Sequence, residues 1–218
     1  MLAVPAVATC GTAVWATAGL RAPRPRRGGV GPDRFSAARA EVHLRAIAGE
    51  ARPSGSDAAA ATCDYLVNQL TALGFEVDVH TSVGVSTSTS TPYGPRYLGA
   101  GRVRNVVARL PGTVPGSAVA VMSHYDSVAQ GPGATDAGVP VAAILEAARG
   151  LRERGPLRND LLIVLTDGEE RGLLGARAFF AEHPWSATVR AVVNFEARGT
   201  TGPVLMFETG PGNGPIIR

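Results

Sequence analysis

No lysine occurs in the 218 residues, and all 21 basic positions are arginine. Four of them, Arg21, Arg24, Arg26 and Arg27, crowd into one proline-rich stretch. Removing those four from the formal charge of +3 leaves −1 for the rest. No basic face remains, so a nucleic-acid partner is excluded. Cysteine is equally scarce: Cys10 and Cys63 form neither a disulfide framework nor a metal-type pair. Cys63 reads as a buried structural thiol. Internal repeats are missing as well. Charged residues are only 18% of the chain beside 45% hydrophobic ones, a balance that excludes wholesale disorder. The length suits one α/β domain and leaves no room for two comfortable ones.

Long apolar runs are lacking except at the start, where residues 1–20 are apolar and then meet the arginines abruptly. Two readings stand side by side. One is a secretory signal with Ala16-Thr17-Ala18 as a small-x-small cleavage pattern, although a basic leader is absent. The other is a short membrane span, at the lower limit of the ~17–25 residues needed, with arginines that favour a cytoplasmic downstream side. The expected layout is therefore residues 1–20 as signal or span, 21–32 as an Arg/Pro/Gly-rich linker, and 33–218 as the folded domain. The protein is expected to be exported or membrane-associated.

Within the domain, "DRFSAARAEVHLRAIA" has helical spacing with Asp33 as N-cap, and Ser56 caps a second helix that stops at Gly74. "FEVDVHTSVGVSTSTST" alternates with period two, which predicts a long strand or hairpin arm. "RVRNVVARLPG", "SAVAVMSHYD", "RNDLLIVLTDGEE", "VRAVVNFEARG" and "PVLMFETG" are further strands, while "VPVAAILEAARGLRERG" and "RGLLGARAFFAEH" are helices. Strands alternating with helices of this length predict an α/β fold with a mixed, mainly parallel sheet. After Arg218 the sheet reads as unfinished, so the domain is expected to continue.

Three apolar runs end in polar groups: residues 119–123 lead to His124 and Asp126, residues 161–166 to Asp167, Glu169 and Glu170, and residues 192–195 to Glu196. Asp136 sits at the start of the following helix. In open α/β sheets the site lies outside the carboxyl ends of the strands, which places these groups at one edge. Like charges at ~4 Å repel by several kcal/mol at an effective dielectric of about 20. With no lysine available, and only Arg171 and Arg198 nearby in sequence, a divalent cation is the economical compensation. One imidazole among carboxylates suits zinc in a catalytic site. Asp126 is placed to orient the histidine ring, as carboxylates beside metal-bound histidines do. Glu169 and Glu170 point in different directions, one toward metal and one toward substrate.

The motifs "SHYDSV", "GPGATDAGVPVAAILEAAR", "IVLTDGEERGLLGARAF" and "VVNFEARGT" resemble, in order, those of the di-zinc aminopeptidases of metallopeptidase family twenty-eight. The likeness is strongest to bacterial relatives of the vacuolar and endoplasmic-reticulum membrane metallopeptidases, and it runs from about Ser54 to Gly210. It implies a three-layer α/β/α zinc-exopeptidase fold that binds two zinc ions per complete domain and acts on peptide or protein N-termini. It also implies roles. His124 and Glu196 are ligands of one zinc, Asp136 bridges both, Glu170 is a ligand of the other, Asp126 supports His124, and Glu169 is the general base. Ala137 departs from the acidic or polar residue common there, and the family's second histidine ligand has no counterpart, because no histidine follows His183. A glutaminyl-cyclase-like zinc acyltransferase and a non-catalytic interaction ectodomain are the alternatives. The paired Glu169 and Glu170 count against the ectodomain, and "NFEARG" with "GEERGLLGA" against the cyclase.

Overall fold

A computed structural model describes residues 29–88 and 97–197, together with Thr12, Thr17, Gly199, 204–206 and 208–214. The expected signal or span thus lies almost wholly outside the described residues. The chain divides into two units, Gly28–Ala197 and a second made of Met1–Arg27 with Arg198–Arg218. In the second, Thr12 and Thr17 are helical, and Val204, Leu205 and Met206 are exposed and outside any strand, contrary to the strand expected over "PVLMFETG". Sequence pattern alone promised a strand there, but among the described residues no ladder partner satisfies it.

The unit Gly28–Ala197 contains helices α1 (Ala37–Ile47), α2 (Asp57–Ala72), α3 (Val139–Arg152) and α4 (Leu174–Glu182). Its strands are β1 (Glu76–Ser88), β2 (Tyr97–Leu110), β3 (Ala118–His124), β4 (Asp160–Thr166) and β5 (Val189–Asn194). The sheet order is β1-β2-β4-β3-β5. β3 pairs in parallel with both β4 and β5, whereas β2 is antiparallel to both β1 and β4. The sheet is therefore mixed, with only β2 running against the other four strands.

Alternation along the strands divides the core into two layers. Val106, Ala108, Leu161, Ile163 and Leu165 face Leu66 and Leu70 of α2 and Val141, Ile144 and Leu145 of α3. Val107, Leu162, Val164, Ala120 and Met122 face Phe179 of α4 on the other side. Every residue of β4 is buried, as an unbroken apolar run covered on both faces requires. Cys63 is buried and free, as expected.

The start of α1 departs from expectation. Ser36, not Asp33, caps α1, its side chain accepting the Arg39 N–H. Both residues are good caps, and the choice falls to Ser36 because its own N–H is held by Glu146, 2.9 Å away on α3. At α2 the expected cap holds, with Ser56 accepting the Ala59 N–H. His183, expected as a cap or surface residue, is a buried cap: its Nδ1 accepts the Trp185 N–H and its Nε2 lies 3.2 Å from Asp78.

Glu146 itself is fully buried, bridging Arg39 at 2.9 Å and Arg149 at 2.7 Å. Burial works against its charge, but Arg149, the Ser36 N–H and Arg39 together hold its carboxyl below the usual range. Glu146→Ala leaves two arginines without their acid and the Ser36 N–H without its acceptor. Thermal melts should show a loss of about 3 kcal/mol, whereas an unchanged melting temperature would mean that this network carries no stability.

Candidate metal centre

Parallel pairing of β3 with β4 and β5 brings three strand ends to one edge. His124 is the last residue of β3 and lies opposite Thr166, the last of β4. β5 ends at Asn194, and the Phe195 N–H then bonds Met122 O at 2.9 Å, which carries Glu196 toward His124. After β4 the chain turns through Gly168, whose φ of 70° is a left-handed conformation suited to glycine, into a short 3-10 turn of Glu169–Arg171.

His124 is buried at 1% exposure, with its Nε2 turned toward the acids. Asp136 Oδ1 lies 3.0 Å from that nitrogen, Glu196 Oε1 3.5 Å and Glu169 Oε2 3.9 Å. Nδ1 faces the backbone carbonyl of Asp126 at 3.1 Å and the Asp126 carboxylate at 3.4 Å. The Asp126 carboxylate is fully buried and accepts the backbone N–H groups of Glu169 and Glu170 at 3.1 and 3.3 Å. One side chain therefore faces the imidazole and also ties down the turn that carries both glutamates.

The electrostatics record crowding of negative charge. Burial disfavours the His124 imidazolium, but Asp126 and Glu196 overcome this and push its pKa up to about 11. Burial, with Glu196, Glu170 and Asp126, raises the carboxyl of Glu169 despite the attraction of His124. Burial and the nearby Asp136 raise that of Glu170. Glu196 moves the other way, held down by its bond to His124.

Ligand atoms of His124, Asp136 and Glu196 lie within 4.8 Å of one another, the sole such group among the described residues. One imidazole and two carboxylates are a donor set that suits a catalytic zinc, and burial with like-charged neighbours raises the carboxyls of Glu169 and Glu170 beside it. The residues fit the metal. Glu170 is outside this trio. Asp136 does not cap α3 as expected. It sits in a π turn, Ala134–Gly138, whose Asp136–Ala137 peptide is cis, and Gly138 takes the N-cap position. This turn leaves the Asp136 side chain about half exposed and aimed at His124.

One positive group near the acids escaped the sequence reading. Arg52, just after α1, is fully buried and feels both Asp126 and Asp136. No local pattern marks it, because its partners lie 73 to 81 residues away.

Residues 105–218, more than half of the chain, match the description of Peptidase family M28. The chain belongs to this family. Among curated relatives, endoplasmic reticulum metallopeptidase 1 of Rattus norvegicus is 32% identical over 196 residues, which is 84% of this M28 chain and 22% of the rat protein. The vacuolar membrane protease of Schizosaccharomyces japonicus is 47% identical over 91 residues, 42% of this chain and 10% of that protein. The chain thus spans less than a quarter of the length of these relatives. Among solved structures, a zinc-dependent exopeptidase from Parabacteroides distasonis matches with a TM-score of 0.60 at 20% identity, over 77% of this chain and 63% of the other. A glutaminyl cyclase from Porphyromonas gingivalis matches with a TM-score of 0.60 at 24% identity, over 75% and 59%. These likenesses establish that the fold is the one shared by that zinc-dependent exopeptidase and that glutaminyl cyclase.

Proposed function

We propose that this M28 chain carries the catalytic centre of a zinc-dependent aminopeptidase that removes residues from the N-termini of peptides or proteins. The observation that carries the reading is the trio of His124, Asp136 and Glu196 at the strand edge, with Glu169 beside it. His124, Asp136 and Glu196 would hold one zinc, and Glu170 with Asp136 would supply ligands to a second. Bound zinc supplies Lewis-acid polarisation of the scissile carbonyl and acidifies water at neutral pH.

The remaining work falls to the protein's own groups. The Glu169 carboxylate takes a proton from the attacking water and returns it to the departing amine. Its upward-shifted pKa suits it to both halves of that exchange, and at 30% side-chain exposure it can reach substrate. Asp126 fixes the His124 ring and the Glu169–Glu170 turn together. The apolar segment 1–20 and the membrane proteases among the relatives support membrane attachment or export, with residues 21–32 as linker and the catalytic domain following from residue 33.

The test is hydrolysis of aminoacyl-4-nitroanilides by the purified protein. Zinc should restore activity after chelator treatment and dialysis, and chelator should abolish it. Inertness toward every anilide, together with cyclisation of N-terminal glutamine peptides, would replace the peptidase with the acyltransferase reading. Activity that is indifferent to chelator would remove zinc from the proposal.

A further inference from the structure

Arg52 is an arginine with no exposed surface, and each of its three side-chain nitrogens donates to a backbone carbonyl. Nε donates to Tyr125 O, Nη1 to Pro132 O, and Nη2 to Gly133 O at 3.1 Å. The backbone of the same residue is paired in both directions with Ser127: the Arg52 N–H donates to Ser127 Oγ at 3.0 Å, and its carbonyl accepts the Ser127 N–H at 3.2 Å. Ser127 Oγ reaches on to Gly131 O at 3.0 Å. One residue from between α1 and α2 therefore grips the loop after β3 near its start, at Ser127, and near its end.

The far end of that grip touches Asp136. Gly133 has φ of +54°, and a Cβ there would collide with Asp136 O, so the backbone that accepts from Nη2 is pressed against the ligand residue. Gly133 O also accepts the Gly138 N–H at 3.0 Å, which closes the turn around Asp136. The near end is Tyr125, directly after His124. Burying a guanidinium is unfavourable unless its hydrogen bonds are well met. Three carbonyls in fork geometry meet them, and the nearby Asp126 and Asp136 carboxylates offset part of the burial.

We infer that Arg52 is a positioning residue for the metal centre, its guanidinium fork setting the distance between His124 and Asp136 by fixing both ends of the loop that joins them. This rests on the zinc reading above. The element that matters is the planar fork, because charge alone would be kept by a lysine, whose single ammonium on a flexible stem cannot span three carbonyls.

The experiment measures zinc affinity of the purified protein by competition with a chromophoric chelator, alongside melting temperature after chelator treatment. Groups that orient metal ligands typically change affinity 10–100-fold when replaced. Both Arg52→Lys and Arg52→Met should weaken zinc binding by roughly that factor, with the lysine variant giving little rescue. A purely structural residue would lower the melting temperature and leave the zinc affinity of the folded protein unchanged. Native affinity in Arg52→Lys would overturn the inference, as would failure of both variants to fold. Absence of zinc binding in the unmodified protein would instead strike the zinc reading itself, and that is seen before any variant is compared.

Discussion

Glu169→Gln lowers kcat for aminoacyl-anilide hydrolysis by roughly 10²–10⁴-fold, the usual contribution of a positioned general base, while zinc content stays at the level of the unmodified protein. The two readouts separate because Glu169 stands at the rim of the trio. Its Oε2 is 3.9 Å from His124 Nε2, and it is not among the atoms that cluster within 4.8 Å. Glutamine keeps the volume and the backbone N–H that donates to Asp126, so the turn should survive. What is lost is the ability to hold a proton. The loss should appear in kcat and in kcat/KM together, as expected when a group acts only in the transition state. The acidic limb of the pH profile should also disappear, because the residue whose carboxyl is raised by burial and by Glu196, Glu170 and Asp126 no longer titrates. Activity within a small factor of the original would place the base elsewhere.

The acids of this centre were legible in the sequence because each ends an apolar strand, and parallel strands put their carboxyl ends on one edge. His124, Asp126, Glu169, Glu170 and Glu196 all lie there, and the register of β3 with β4 and β5 explains why. The two-sided burial of β4 was legible in the same way, from an apolar run too continuous for a half-exposed strand. Asp136 was legible as a residue of the site but not as a conformation. Its turn depends on contacts with Gly133 and Gly138 that no periodicity reports. Arg52 was invisible, since a side chain that bonds carbonyls 73 to 81 residues away leaves no local trace. The preference for Ser36 over Asp33 at the start of α1 was hidden for a related reason: it is decided by Glu146, 110 residues further on. Local pattern reports propensity and edge placement, whereas long-range hydrogen bonds select among locally equivalent options.

Replacing His124 should have the second large effect, and pH exposes it. The raised pKa of His124, about 11 against 6.5 in the unfolded chain, means that the chelator-treated fold binds its proton more tightly than the unfolded chain does. That stabilisation is complete below pH 6.5 and is lost as pH rises toward 11. The raised carboxyls of Glu169 and Glu170 act with the same sign, stabilising below their unfolded value of 4.5 and fading as pH rises through their folded values. Glu196, shifted down, contributes above 4.5 and is constant in the neutral range. His43 and His183, also shifted down, contribute fully above their unfolded value of 6.5 and lose that contribution only as pH falls below it. Between about pH 7 and 9 the chelator-treated protein should therefore lose up to about 1.4 kcal/mol of stability per pH unit, the cost of one proton. Zinc should flatten or reverse this slope, because the metal requires the imidazole nitrogen and carboxylates without protons and its binding strengthens as they are lost. His124→Gln should abolish both behaviours at once: the slope without zinc, since the titrating group is gone, and the zinc-induced rise in melting temperature, since an amide is a poor substitute for imidazole. Melts at three pH values, with and without zinc, read all of this in one series. If zinc left the slope of the unmodified protein untouched, the cation would be binding somewhere other than the acids around His124.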